Sequence, residues 1–542
     1  MITLIETNEY QTPITEELLS QYPEEVVKQF TEMVNIVPFI KNLINPNRPK
    51  IEDLPRDKEG RAIIDITNPP IYKDADYFRQ PALFYLKNNC YTKLRPNSNP
   101  NSEYRKYWRE ELRRCREGLI RQSDGMYVTG FLYWFLNYCP MMVNFYKEGQ
   151  KKAIRKESFG FFFEGIWWRS IYLYNAREQG HHAIELAKRG CGKSIFLSAI
   201  MSHNLIVGES EATHKRCITV LTAAQKEYLK DDKDGTLNKF IPELSFVIDN
   251  TPFPNLLLKN SPNEMSWQMG YKKPNGAIGG SMNQVLGVSA KDDSDKLRGK
   301  RGWILYEEMG TFDGLLELYD VTRKSVEDGD YTFACQYLVG TANNKESSFL
   351  SAKKLLYAPE SYNIQSVPNV YDKKGSGKDT FGFFFPAYIN RAGCYNKDGI
   401  SDVIKALLQV LMSRYKAKYG ADPTSVLRVI AEDPITPAEA IIKVKDAYFP
   451  VASLQERADT LDKNPSLYDD IYVGELYTTG TGEIEFRLTD DIPIRTYPVN
   501  NDTKGALEIY SMPKKDREGK VFNDRYIIGV DPKSLGLILV IK

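Results

Sequence analysis

The chain has 542 residues, 42% hydrophobic and 26% charged. That is globular composition; it excludes a disordered or collagen-like chain and is too long for one core, so roughly two to four domains are expected. Lys+Arg total 72 and Asp+Glu 71, a net charge of +1, which excludes a globally basic nucleic-acid coat but not a local basic groove.

Cysteines stand at 90, 115, 139, 191, 217, 335 and 394, with no C-x-x-C pair. Neither a disulfide framework nor a zinc site is indicated, and a reducing compartment fits. The first thirty residues carry six glutamates and no apolar h-region, so no secretory leader is read there. No apolar run approaches the ~20 residues of a membrane helix, and the expectation is a soluble intracellular protein, not in a membrane.

In chain order, residues 1 to about 70 are polar and Pro-containing, with a helical piece from Glu24 to Val34, and read as a peripheral lead-in. Residues 102–121 form a locally basic helix, read as a solvated face rather than a phosphate-contacting one. The aromatic segments 127–146 and 158–174 read as buried. From residue 183 short apolar strands alternate with helices: AIELA (183–187), CITVLTA (217–223), WILYEE (303–308) and a strand within 331–343. That alternation predicts an α/β fold with a mostly parallel sheet flanked by helices. Beyond about 450 the pieces become shorter and strand-like, ending in RYIIGVD (525–531).

The strongest local signal is Ala187-Lys188-Arg189-Gly190-Cys191-Gly192-Lys193-Ser194, between a strand and a helix. It follows G-x-x-x-x-G-K-[ST] except that Ala187 replaces the first Gly. Gly190 and Gly192 let successive N–H groups face phosphate oxygens, and the helix adds its positive end. Lys193 can reach the β- and γ-phosphates of ATP, and the Ser194 hydroxyl can ligate Mg²⁺.

Downstream, WILYEE ends in two carboxylates. A buried parallel strand places them at the C-terminal sheet edge, where ligands bind in open α/β sheets. Glu307 is assigned to the metal and Glu308 to the attacking water. Thr341, Ala342 and Asn343, closing LVGTAN (338–343), suit a sensor of the γ-phosphate, although alone they read as an ordinary strand-to-loop junction. Phe159, Phe161 or Trp167 could stack on adenine, but for each one core packing is the better reading. Arg298, Lys300 and Arg301 in LRGKR suit DNA contact or structural ion pairs equally.

Together AKRGCGKS (187–194), CITVLTAAQ (217–225), DKLRGKRGWILYEEMG (295–310), LVGTAN (338–343), EDPITPAEA (432–440) and RYIIGVDP (525–532) resemble the large terminase subunit of tailed bacteriophages. The resemblance spans roughly residues 125–532. It implies a P-loop NTPase core of the RecA/ASCE type, using ATP and Mg²⁺ to translocate double-stranded viral DNA into a procapsid. It further implies a homo-oligomeric ring on the capsid portal, with portal protein and small terminase subunit as partners, in the host cytoplasm.

By the same resemblance Arg189 acts on the γ-phosphate, residues 341–343 couple hydrolysis to movement, and Asp531 is the first metal ligand of an RNase H-like nuclease. Ten residues follow Pro532, so the expectation is an incomplete nuclease. The implied layout is an N-terminal helical region (1–125), an ATPase core (126–370), a lid subdomain (371–450), a β-rich linker (451–524) and the first nuclease strand (525–542). A helicase-like or repair ATPase is the competing enzyme. A nucleotide-gated structural protein is the non-enzymatic alternative, disfavoured by the intact Lys193, Ser194 and Glu308.

Overall fold

The computed structural model describes residues 6–145, 152–209, 216–230, 235–290, 294–341, 346–372, 379–420, 425–441, 472–482, 484–490, 507–509, 526–531 and 536–541. The chain divides into two compact units, Met1–Asp446 and Ala447–Lys542.

In the first unit, an antiparallel hairpin pairs β1 (Pro140–Phe145) with β2 (Ile154–Phe159). The main sheet follows. Its strands are β3 (Ala183–Ala187), β4 (Ile218–Ala223), β5 (Leu257–Ser261), β6 (Ser266–Met269), β7 (Gln284–Ser289), β8 (Trp303–Tyr306), β9 (Gln336–Gly340) and β10 (Phe383–Phe385). They lie in the order β10-β3-β9-β8-β4-β7-β6-β5. The six from β10 to β7 are parallel; β6 and β5 add an antiparallel edge.

Strands β3, β4, β8 and β9 are those the sequence predicts. All residues of β3, β8 and β9 are buried, as strands covered by helices on both faces must be. β9 lies between the strand of the glycine turn and the strand of the acidic pair. Its register sets Gly340 beside Leu186 and Leu338 beside Tyr306. The three strands therefore end side by side.

Helix Gly130–Tyr138 is buried at every position, which fits an apolar sequence with no polar face. Thr129 caps it by accepting the Leu132 amide. Helix Glu103–Glu117 instead buries only Trp108, Glu111 and Cys115, and it stops at Gly118, whose φ is +90°. After β4, Lys226–Leu229 form a short helix.

The N-terminal residues pack onto this unit. Phe39 sets its ring edge-on to Trp168 at 5.8 Å and Tyr371 at 5.0 Å. Arg48 and Glu164 form a fully buried ion pair at 2.9 Å, and Thr12 bonds Asp402. No helix among the described residues is long and apolar enough to cross a membrane.

In the second unit, strand Tyr472–Thr478 pairs with Ile484–Leu488 and Leu507–Ile509, and Tyr526–Asp531 pairs antiparallel with Gly536–Ile541.

Candidate functional site

The turn after β3 opens helix Lys193–Ile206. Ala187 is the last residue of β3, in register with Phe385, so this position needs strand geometry rather than a glycine. Gly190 and Gly192 have φ of +72° and +78°. A methyl group added at either would meet nothing within 4 Å, so glycine is required there by the backbone and not by space.

Two buried cations hold the turn from behind. Lys188 donates to the carbonyls of Ala387 and Ile389 at 3.3 and 2.6 Å, and burial lowers its ammonium to about 8. Arg169 makes a bidentate pair with Glu185 at 2.6 and 2.8 Å and donates to the Cys191 carbonyl at 3.2 Å. With that carbonyl drawn inward, the loop is free to present amides outward. Sequence reading missed Arg169. Its one signal is a charge inside an apolar run (GIWWRSIYLY), matched by Glu185 inside AIELA.

At the front, Ser194 Oγ donates to Glu307 Oε1 at 2.7 Å. Lys193 Nζ lies 3.9 Å from Glu308 Oε1. Glu308 Oε2 accepts the backbone amide of Thr341 at 3.2 Å and its hydroxyl at 3.0 Å. Five predicted site residues thus meet at one sheet edge, and Lys193, Ser194, Glu308 and Thr341 line a cavity of about 590 Å³ there together with Tyr228 and Lys239. Those last two come from the segment after β4 and carried no motif.

Glu307 is 2% exposed, and its Oε2 has no hydrogen-bond partner among the described residues. Burial first, and then the charge of Glu308, push its carboxyl up to about 7, while Ser194, Lys193 and Thr236 pull it down. A buried carboxylate with one free oxygen beside a serine hydroxyl fits a hard divalent cation such as Mg²⁺.

Arg189 is directed elsewhere. Its guanidinium pairs with Glu432 at 3.2 Å, and its amide donates to the Glu432 carbonyl. Thr341 is described; Ala342 and Asn343 lie outside the described residues, as does the side chain of Asp531, whose backbone closes the strand Tyr526–Asp531. Among the described residues no group of three or more His, Cys, Asp or Glu is placed to hold a metal.

A second cavity, of about 560 Å³, lies on the other flank of the turn. Arg189, Gly190 and Gly192 line both cavities. Of the three aromatic candidates for adenine stacking, Trp167 is fully buried and donates to the Tyr127 carbonyl, and Phe159 is core. Phe161 lines the cavity, with Met141, Met142, Tyr395, Asn390 and Gln409.

An eight-stranded, mostly parallel sheet flanked by helices, with a Gly-Lys-Ser turn facing two carboxylates across one inserted strand, is consistent with a P-loop ATPase-like domain. No protein-family model matches the chain, and no curated protein matches it. Solved structures that overlap it include the large terminase ATPase domain of Thermus phage P74-26, with a TM-score of 0.34 and 12% identity over 49% of this chain and 92% of that one. A point mutant of the same domain overlaps with a TM-score of 0.32 and 11% identity, over the same shares.

Proposed function

We propose that this chain is a P-loop ATPase of the additional-strand (RecA/ASCE) class that works as a large terminase subunit, moving viral double-stranded DNA into a procapsid. The observation that carries the ATPase reading is the contact of Ser194 with Glu307 beside the Lys193–Glu308–Thr341 cluster. The terminase reading adds the family-like segments that surround it, LRGKR before the acidic strand and P-x-T-x-x-E-A after the core.

The phosphate groups of ATP lie over the turn, with the base in the cavity beside Phe161 and the γ-phosphate toward Glu308. Lys193 and the loop amides bind the phosphate oxygens. Ser194 and Glu307 would hold Mg²⁺, which would supply positive charge to offset that of the phosphates. Glu308 orients the attacking water and takes its proton as the oxygen–phosphorus bond to γ forms and the bond to the β-phosphate oxygen breaks. Arg189, once turned from Glu432, stabilises charge on the transferring group. Thr341, joined to Glu308, begins the segment that relays phosphate loss to the lid (371–450).

The same reading makes Asp531 the first ligand of an RNase H-like nuclease, and gives the motor a portal protein, a small terminase subunit and further copies of itself as partners.

The test is Mg²⁺-dependent ATP hydrolysis with and without duplex DNA. Wild type should hydrolyse ATP and be stimulated by DNA. Glu308→Gln should lose about 10²–10⁴-fold in turnover while still binding nucleotide, and Lys193→Ala should lose binding. Turnover indifferent to both substitutions would sink the ATPase reading; hydrolysis indifferent to DNA would sink the motor.

A further inference from the structure

Away from the nucleotide site, residues 92–101 are tied to the first turns of helix Glu103–Glu117. Tyr107 donates to the Tyr91 carbonyl at 3.0 Å, Arg105 to that of Asn97 at 3.0 Å, and Arg109 to that of Pro100 at 2.9 Å. Buried Trp108 seats the helix edge-on against Tyr91 and Phe253. Every residue from 93 to 101 is exposed, as are Arg105 and Arg109.

The charge on this surface is one-sided. The sequence from 77 to 102 holds no Asp or Glu. On the helix, Glu103 pairs with Lys106, Glu110 with Arg113 and Arg114, and Glu111 with Arg114, so those cations have counter-charges. Lys93, Arg95, Arg105 and Arg109 make no ion pair among the described residues. The guanidiniums of Arg105 and Arg109 bond neutral carbonyls, which direct a cation without cancelling its charge. Asn97 and Asn99 each accept the backbone amide two residues on, at 2.9 Å, and so keep their Nδ2 groups as donors. The side chains therefore offer chiefly donors and positive charge, the complement of a group that only accepts. The four cations are strung along two stretches of chain rather than gathered at one point. That layout suits an extended polyanion better than a single phosphate group.

We propose that this surface, residues 93–109, holds the phosphodiester backbone of duplex DNA, an inference that rests on the DNA-motor reading above. The sequence alone reads the helix as a solvated face. The fold adds Lys93 and Arg95 to it, and neither stands in a motif.

The test is fluorescence anisotropy of a labelled duplex against the full chain, without nucleotide, across a salt series. Wild type, Arg95→Ala, the double variant Lys93→Ala/Arg95→Ala, Arg95→Lys and, elsewhere on the surface, Lys405→Ala are compared, with thermal melting to confirm folding. Loss of one phosphate contact should reduce the slope of log affinity against log salt by about 1, and loss of two by about 2. Arg95→Lys and Lys405→Ala should keep the wild-type slope. Alanine variants that fold and bind with the wild-type slope overturn the assignment of this surface and leave the DNA motor standing. Labelled poly-glutamate that binds as tightly as duplex, with the same loss in the double variant, assigns the surface to an acidic protein and overturns the proposal. Wild type that fails to bind duplex even at low salt overturns the motor reading and this proposal with it.

Discussion

Glu308 is held by Thr341 more closely than by Lys193: its Oε2 accepts the Thr341 amide and hydroxyl at 3.2 and 3.0 Å, while the lysine stands 3.9 Å from Oε1. The backbone makes this possible. Glu308 has φ +50° and ψ +60°, a left-handed turn that is unfavourable for a side-chain-bearing residue and is stored at a place where direction matters. The carboxylate thereby points across the end of β9 toward the Gly-Lys-Ser turn.

Thr341→Val keeps the shape and the amide bond but removes the hydroxyl. A hydrogen bond to a charged group contributes about 1.5–3 kcal/mol, and part of that orients the Glu308 carboxylate, the base of the proposed reaction. Turnover of ATP should fall roughly tenfold, with KM little changed, since 1.4 kcal/mol is a factor of ten. Steady-state kinetics check this; an unchanged kcat would remove Thr341 from the relay.

Glu307 makes a pH-dependent prediction. Its carboxyl titrates near 7 in the folded chain and near its ordinary value of 4.5 in the unfolded one. Between those values the native state binds more protons, so stability falls as pH rises from about 4.5 to about 7 and is flat above. Glu307→Gln removes the buried charge. Denaturant titration should find it close to wild type at pH 5 and about 1–3 kcal/mol more stable at pH 8. Mg²⁺ with nucleotide should stabilise wild type more at pH 8 than at pH 6, because metal and proton compete for the same oxygens. Equal wild-type and variant stability at pH 8 would contradict the buried ionised carboxylate.

The sheet's centre was legible in the sequence because β3, β4, β8 and β9 are apolar runs bounded by turns, and the two ends of the site carry their own motif. The flanks were not. β10 is three residues long, too short for any period, and sits inside a Phe-rich stretch (FGFFFP). β7 carries Gly287, β5 (LLKNS) shows no alternation of apolar and polar residues, and β6 alternates (SWQM) over only four residues. The acidic pair could be placed at the sheet edge by position alone. The partner of Arg189 could not, because Glu432 is 243 residues away and lies in a segment noted for a different motif.

Arg189 and Glu432 form a solvent-facing pair, with side chains 67% and 41% exposed. Such pairs contribute about 0–1 kcal/mol, so neither Arg189→Ala nor Glu432→Gln should change the melting temperature much. Their kinetic effects should separate them. If Arg189 acts on the γ-phosphate, Arg189→Ala lowers kcat by about 10³-fold, the scale of a charge-stabilising arginine. Glu432→Gln frees the guanidinium and should leave kcat equal or higher. Matching losses in both variants would mean that the pair itself, not the free arginine, is what turnover needs.

Arg169 and Glu185 form a buried ion pair behind the Gly-Lys-Ser turn, 1% and 0% exposed, with Tyr337 donating to Glu185 as well. Arg169→Met leaves Glu185 without its counter-charge and should destabilise the fold by about 3–5 kcal/mol. The double variant Arg169→Met/Glu185→Leu removes both charges and should recover most of that loss, since an apolar pair of similar volume is tolerated where an orphaned charge is not. Nucleotide affinity should not recover with it. The Cys191 carbonyl still lacks the donor that draws it inward, so the loop amides lose their preorganised direction. Thermal melting and nucleotide titration on the same two variants therefore read different things. Recovery of both stability and affinity in the double variant would show that Arg169 serves only the core.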